Sequence, residues 1–146
     1  MTLSISNDST LHSPRILVIE DDQSLAELIS HSLKREGMEV QIIYRGDEGV
    51  DRILEMSPDL VILDLMLPGL NGLEVCRQVR THYKGSIIML TAQESEAIQL
   101  QGFEVGADDY VVKPVKPQLL IARIRAHLRK MSSHDSQPTP PLRIDL

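Results

Sequence analysis

A chain of 146 residues, 42% hydrophobic and 25% charged, has the make-up of one globular domain with some chain to spare. Its net charge of −6 argues against gripping nucleic-acid phosphates by itself, and its single cysteine, Cys76, excludes an internal disulfide and suits a reducing cytosol. No apolar run approaches the roughly 18 residues of a membrane span, and the N-terminus lacks the basic and apolar regions of a signal peptide.

Residues 1–13, MTLSISNDSTLHS, are polar and without period and read as a flexible leader. RILVIEDD follows, an apolar run from Ile16 to Ile19 that ends in acids, as a buried strand with a polar exit would. Leu25, Leu28, Ile29 and Leu33 recur at helical spacing, with Asp22 placed to cap that helix and Gly37 to stop it. Residues 38–43 predict a second strand, 46–56 a helix carrying Val50, Ile53 and Leu54, and 60–63 a third strand. After a Pro-Gly loop, Leu73, Val75, Cys76 and Val79 mark a helix with the cysteine on its apolar face. Residues 86–90 predict the fourth strand, 94–105 a weaker helix and 109–112 the fifth strand. Pro117 opens a long helix with Leu120, Ile121, Ile124 and Leu128 on one face, proline being suited to the first helical turn.

Strand and helix thus alternate, which implies right-handed crossovers and a doubly wound α/β domain with helices on both faces of a parallel sheet. The strands are near-continuously apolar, as burial on both faces requires. A dinucleotide-binding unit would look similar, but acids stand where its glycine-rich turn would follow the first strand. Past residue 131 the composition shifts: SSHDSQPTPP reads as a linker, and LRIDL resumes a strand pattern that looks like the start of another unit. The expected organisation is a leader over 1–13, the α/β domain over 14–131, and a linker with the start of a further domain over 132–146.

Polar residues interrupt at the C-terminal ends of four strands: Glu20 and Asp21 after the first, Asp64 after the third, Thr91 after the fourth and Lys113 after the fifth. Ligands of doubly wound sheets bind outside those ends, so these groups converge on one crevice. Clustered carboxylates resist ionising unless a cation offsets them, and Mg²⁺, which prefers hard oxygen ligands, is the expected one. With Lys113 and the Thr91 hydroxyl, such a site suits a phosphoryl group, and an aspartate can itself accept it as an aspartyl phosphate. Taken singly, Asp21 could cap a helix, Thr91 could be an ordinary strand-end hydroxyl, Lys113 could be solvated and Tyr110 could be plain packing. The five histidines show no metal-ligand spacing, and RIRAHLRK reads mostly as a solvated helix face.

ILVIEDD, PDLVILDLMLPGLNGLEVCRQVR, IIMLTA and GADDYVVKPVKPQLLIARIRAHLRK together resemble the receiver domain of a bacterial two-component response regulator over about residues 14–131. The ending resembles the OmpR/PhoB branch, whose receiver precedes a winged-helix DNA-binding domain. The resemblance implies a CheY-like, flavodoxin-like (βα)5 sheet with strand order 2-1-3-4-5. It implies a cytoplasmic, phosphorylation-activated switch, not an enzyme with a turnover substrate. Asp64 would accept phosphate from a sensor histidine kinase, with Glu20 and Asp21 as the acidic pocket. Asp21, Asp64 and the Met66 backbone carbonyl would hold Mg²⁺, and Thr91, Lys113 and the Ala92 amide would meet the phosphoryl oxygens. Tyr110 would be the aromatic switch residue that turns inward as Thr91 moves, and Lys113–Pro114 would be cis. Activation would pair two copies through the face formed by the fourth helix, fifth strand and fifth helix, and DNA would be contacted only by the further domain.

Three departures stand out. Gln99 replaces a basic residue of the family's fourth helix and Leu119 an acid of its fifth, so a cross-dimer pair is lost with both halves gone together. Asp108, Asp109, Arg123 and Lys130 are left as candidates for that face. Val115 replaces a larger apolar residue. Met66, two after Asp64, has no side chain able to orient an attacking water, and Gln93 stands two after Thr91, which implies slow self-dephosphorylation. Competing readings are a haloacid-dehalogenase-type phosphatase, which wants a second aspartate where Met66 stands, a stand-alone receiver acting by protein contact, and a flavodoxin-like cofactor binder, whose phosphate the acids would repel.

Overall fold

The computed structural model of the chain describes residues 12–92 and 95–136, giving for 132–136 only the course of the helix backbone. The expectations for the leader up to residue 11, for Gln93 and for LRIDL lie outside the described residues. Five strands, β1 (Arg15–Ile19), β2 (Glu39–Ile43), β3 (Leu60–Asp64), β4 (Ser86–Thr91) and β5 (Asp109–Val112), pair in parallel in the order β2-β1-β3-β4-β5. Five helices alternate with them: α1 (Gln23–Arg35), α2 (Gly46–Met56), α3 (Gly72–Val79), α4 (Glu96–Glu104) and α5 (Pro117–Ser136). This is the doubly wound, CheY-like flavodoxin fold expected from the sequence.

Successive strand residues point to opposite faces, and both faces are covered, so both sets must be apolar. Leu17, Ile19, Val61, Leu63, Ile87 and Met89 bury against Ile53 of α2 and Val75, Cys76 and Val79 of α3. Ile16, Val18, Leu60, Ile62, Ile88 and Leu90 bury against Ala26, Ile29 and Leu33 of α1 and Leu120 and Ile124 of α5. Two aliphatic cores therefore clamp the sheet, with β3 buried along its whole length. Cys76 is wholly buried, and burial pushes its thiol up to about 11, which suits the packing role read from its position.

The helix ends follow their local chemistry. Asp22 caps α1 by accepting from the Leu25 N–H at 3.1 Å. Gly37, at φ 87°, lets the chain turn back so that the Met38 N–H reaches the Leu33 carbonyl at 3.2 Å. Helix α5 continues to Ser136, past the compositional change at 131, because residues 118–136 contain neither glycine nor proline. β3 and β4 likewise take in the polar residues Asp64 and Thr91 at their ends. No described helix is long and apolar enough to cross a membrane.

Candidate functional site

Strand order reverses between β1 and β3, and a doubly wound sheet opens its crevice there. Glu20 leaves β1 on one side, with its N–H still bonded to the Ile43 carbonyl at 3.0 Å. Asp64 ends β3 on the other side, in register with Leu90 of β4. Beyond it Leu65 donates to the Leu90 carbonyl, and Gly72 donates back to the Leu65 carbonyl at 2.8 Å. A Cβ on Gly72 would lie 2.5 Å from the Asp64 carbonyl oxygen, so only glycine lets α3 begin this close to the acid. Asn71 caps α3 by accepting from the Glu74 N–H at 3.0 Å.

The carboxylates of Glu20, Asp21 and Asp64 offer oxygens within 4.8 Å of one another. Glu20 and Asp64 are buried, at 0% and 2% exposure, while Asp21 faces solvent. Lys113 reaches back from the end of β5, its Nζ 3.1 Å from both Glu20 Oε1 and Asp64 Oδ1. Its own N–H donates to the Thr91 carbonyl at 2.7 Å, tying the ends of β4 and β5 together, and Lys113–Pro114 is cis. Thr91 is buried at 1% exposure, Ala92 after it is exposed, and Met66, two residues after Asp64, is 68% exposed.

Burial pushes the Glu20 carboxyl up to about 6; the Asp22 N–H and Lys113 oppose the rise and the charge of Asp64 adds to it. Burial likewise raises Asp64 against the pull of Lys113. For Lys113, desolvation is outweighed by the two acids, which hold the ammonium charged. Glu20 Oε2 accepts from the Asp22 N–H, while Oε1 accepts no hydrogen bond among the described residues and has the Lys113 ammonium at ion-pair distance, 3.1 Å. A buried carboxylate oxygen left in this way, among three hard oxygen donors, fits a divalent cation such as Mg²⁺ and its waters.

Tyr110 lies inward at 8% exposure, its hydroxyl donating to the Ile98 carbonyl of α4 at 3.0 Å and its ring edge-on to Phe103. The candidate dimer residues fare differently. Asp108 is held within the chain, accepting from the Ile87 N–H at 2.8 Å and from Arg80 at 3.3 Å. Asp109 accepts from Arg123 Nη1 with both oxygens, at 2.9 and 3.1 Å, and is 3.0 Å from His127 Nε2. Burial would raise its carboxyl, but His127, the Tyr110 N–H and Arg123 overcome that and lower it. Lys130 is exposed, and so is Leu119, at 49%. The basic run on α5 is thus divided: Arg125, Arg129 and Lys130 face solvent, whereas Arg123 and His127, four apart, turn towards β5.

Sequence reasoning missed Arg80. Its guanidinium donates to the carbonyls of Gly106, Tyr83 and Gly85 as well as to Asp108, linking the loops before β4 and β5. No spacing signals such a residue, because its acceptors are mostly main-chain atoms. His127 has no metal-ligand spacing to mark it; its distance from Arg123 along one helix face is the available sign.

A family model described as the response regulator receiver domain matches residues 16–125. The BeF3-activated N-terminal receiver domain of Klebsiella pneumoniae RstA is 40% identical, at a TM-score of 0.75 over 79% of this chain and 98% of that one. The BeF3-activated DrrB receiver domain is 34% identical, at a TM-score of 0.74 over 80% and 98%. A two-component response regulator from Clostridium difficile is 26% identical, at a TM-score of 0.80 over 83% and 100%. With the acids, the strand-end threonine and the lysine placed where the fold requires, the chain belongs to the response regulator receiver domain family.

Proposed function

We propose that this chain is the phosphoacceptor switch of an OmpR/PhoB-type transcription regulator. The observation that carries the reading is Lys113, 3.1 Å from both Asp64 and Glu20 in a crevice where three carboxylates converge. An Asp64 oxygen attacks the phosphorus of a phosphohistidine on a sensor histidine kinase; the P–N bond breaks, its electrons stay on the histidine nitrogen, and an aspartyl phosphate forms. Lys113 and the Thr91 hydroxyl meet the phosphoryl oxygens, joined by the Ala92 amide. Asp21, Asp64 and the Met66 carbonyl would hold Mg²⁺, with Glu20 completing the acidic pocket; when bound, the ion neutralises charge developing on the transferred group. The chain acts as a switch and assists its own phosphotransfer without turning over a separate substrate.

The output proposed is pairing of two copies through α4, β5 and α5, with Arg123 exchanging its Asp109 contact within the chain for one across the interface. DNA would be bound by a further domain beyond the linker, in the cytoplasm. The similarity to RstA and DrrB supports this branch. The deciding experiment is mass spectrometry after incubation with acetyl phosphate and Mg²⁺. The wild type should gain one phosphoryl group and Asp64→Ala none; an equal gain in both would overturn the reading.

A further inference from the structure

We infer that Gly102 is the receptacle that holds the Tyr110 ring inward, and that seating of this ring and docking of α4 on the sheet are one event. The contact is unusually specific. Ile98 and Gly102 lie one helical turn apart, so the Ile98 carbonyl and the Gly102 Cα share one face of α4. The Tyr110 hydroxyl donates to that carbonyl at 3.0 Å. A Cβ built on Gly102 would lie 1.8 Å from the hydroxyl oxygen and 2.5 Å from the ring carbon that bears it. No side chain at 102 can coexist with the inward ring.

Little else fastens this helix. Gly102 is the one buried residue of α4, while Leu100 and Phe103 are 58% and 47% exposed. Ile98 packs only partly against the core, and Phe103 closes over the outer edge of the ring, centroids 5.4 Å apart at 71°. A glycine weakens the middle of a helix, and here the weak helix former stands where the notch is needed. The hydroxyl on Ile98 and the ring on Gly102 therefore act as a hook between β5 and α4. A ring that swings out releases α4 with it, which is how one side chain can carry a change to the whole face. The consequence for signalling rests on Tyr110 serving as the switch residue.

The test labels the full chain with 3-fluorotyrosine and follows ¹⁹F NMR signals and amide exchange in the Gly102→Ala variant. There are three tyrosines, and Tyr110→Phe identifies the signal in question. Gly102→Ala should move the Tyr110 signal to that of a solvated tyrosine and speed amide exchange in α4 roughly tenfold. Alanine is the better helix former, so propensity alone predicts slower exchange, the opposite sign. An unmoved Tyr110 signal with unchanged or slower exchange overturns the inference. Should Gly102→Ala fail to fold, Tyr110→Phe decides, since it keeps ring and notch but removes the hydroxyl: α4 exchange faster by roughly threefold or more supports the hook, and unchanged exchange overturns it. Asp64 labelling by acetyl phosphate should persist in Gly102→Ala while association of the phosphorylated form is lost. A displaced ring with association intact would leave the notch standing and remove Tyr110 from the switch.

Discussion

Lys113 Nζ stands 3.1 Å from Asp64 Oδ1, and the same ammonium is 3.1 Å from Glu20 Oε1. One cation at the end of β5 thus compensates two buried acids that leave β1 and β3. Removing one partner of a buried ion pair strands the other, which costs about 3 kcal/mol. Lys113→Met should therefore lower urea stability by about 3 kcal/mol near neutral pH, and by less in acid, where the carboxyls can protonate. An unchanged urea midpoint would show that the acids do not need this lysine.

Glu20 supplies the pH dependence. Its folded pKa, about 6, lies above the ordinary value of 4.5. A carboxyl raised in this way costs nothing below its unfolded pKa. The penalty grows as pH rises and is complete above its folded pKa, at about 2 kcal/mol for a shift of this size. Glu20→Gln should leave stability unchanged at about pH 4 and raise it by about 1 to 2 kcal/mol at about pH 8, part of the gain being lost with the Lys113 contact. Equal effects at the two pH values would contradict the origin of the shift.

Mg²⁺ should raise the melting temperature, because a ligand that binds only the folded state stabilises it in proportion to the logarithm of its concentration. Asp21 is the exposed member of the cluster and carries little packing. Asp21→Asn should therefore leave the metal-free melting temperature nearly unaltered and abolish the rise with Mg²⁺. A full rise in that variant would take Asp21 out of the ligand set.

Arg123 holds Asp109 within the chain, with 42% of the arginine side chain still exposed. Arg123→Glu sets two acids side by side, so the monomer should lose only about 1 kcal/mol, while sedimentation in the presence of a phosphoryl mimic should show association abolished. Unchanged association would remove this face from the interface.

Met66 sits beside Asp64 with an exposed thioether that neither donates nor accepts a proton. The isolated phosphoprotein should hold its phosphate far longer than seconds, followed by loss of the added mass with time. Met66→Glu, which could orient a water, should shorten that lifetime by about tenfold; a half-life of seconds in the wild type would refute the expectation.

Local rules were enough for much of this molecule. Each of Asp64, Thr91 and Lys113 directly follows an apolar run, and strands that are apolar on both faces and alternate with helices fit the inside of a doubly wound sheet. The carboxyl ends of such strands meet in one crevice, so the meeting of the acids with Lys113 was legible from order and spacing alone. The Asp22 cap and the Gly37 stop were legible for the same reason, since their partners lie within a few residues. Tertiary structure decided what depends on partners distant in sequence. Asp108 and Asp109 look alike as neighbouring acids at the start of the fifth strand, yet one is taken by Arg80 at the C-cap of α3 and the other by Arg123 and His127 from α5. Gly102 reads as a weak point in a weak helix until Tyr110 is placed against it. Hydrophobic periodicity reports which face a residue turns, but not which atom it meets there, because that atom arrives from another element at a position set by the packing of the whole fold.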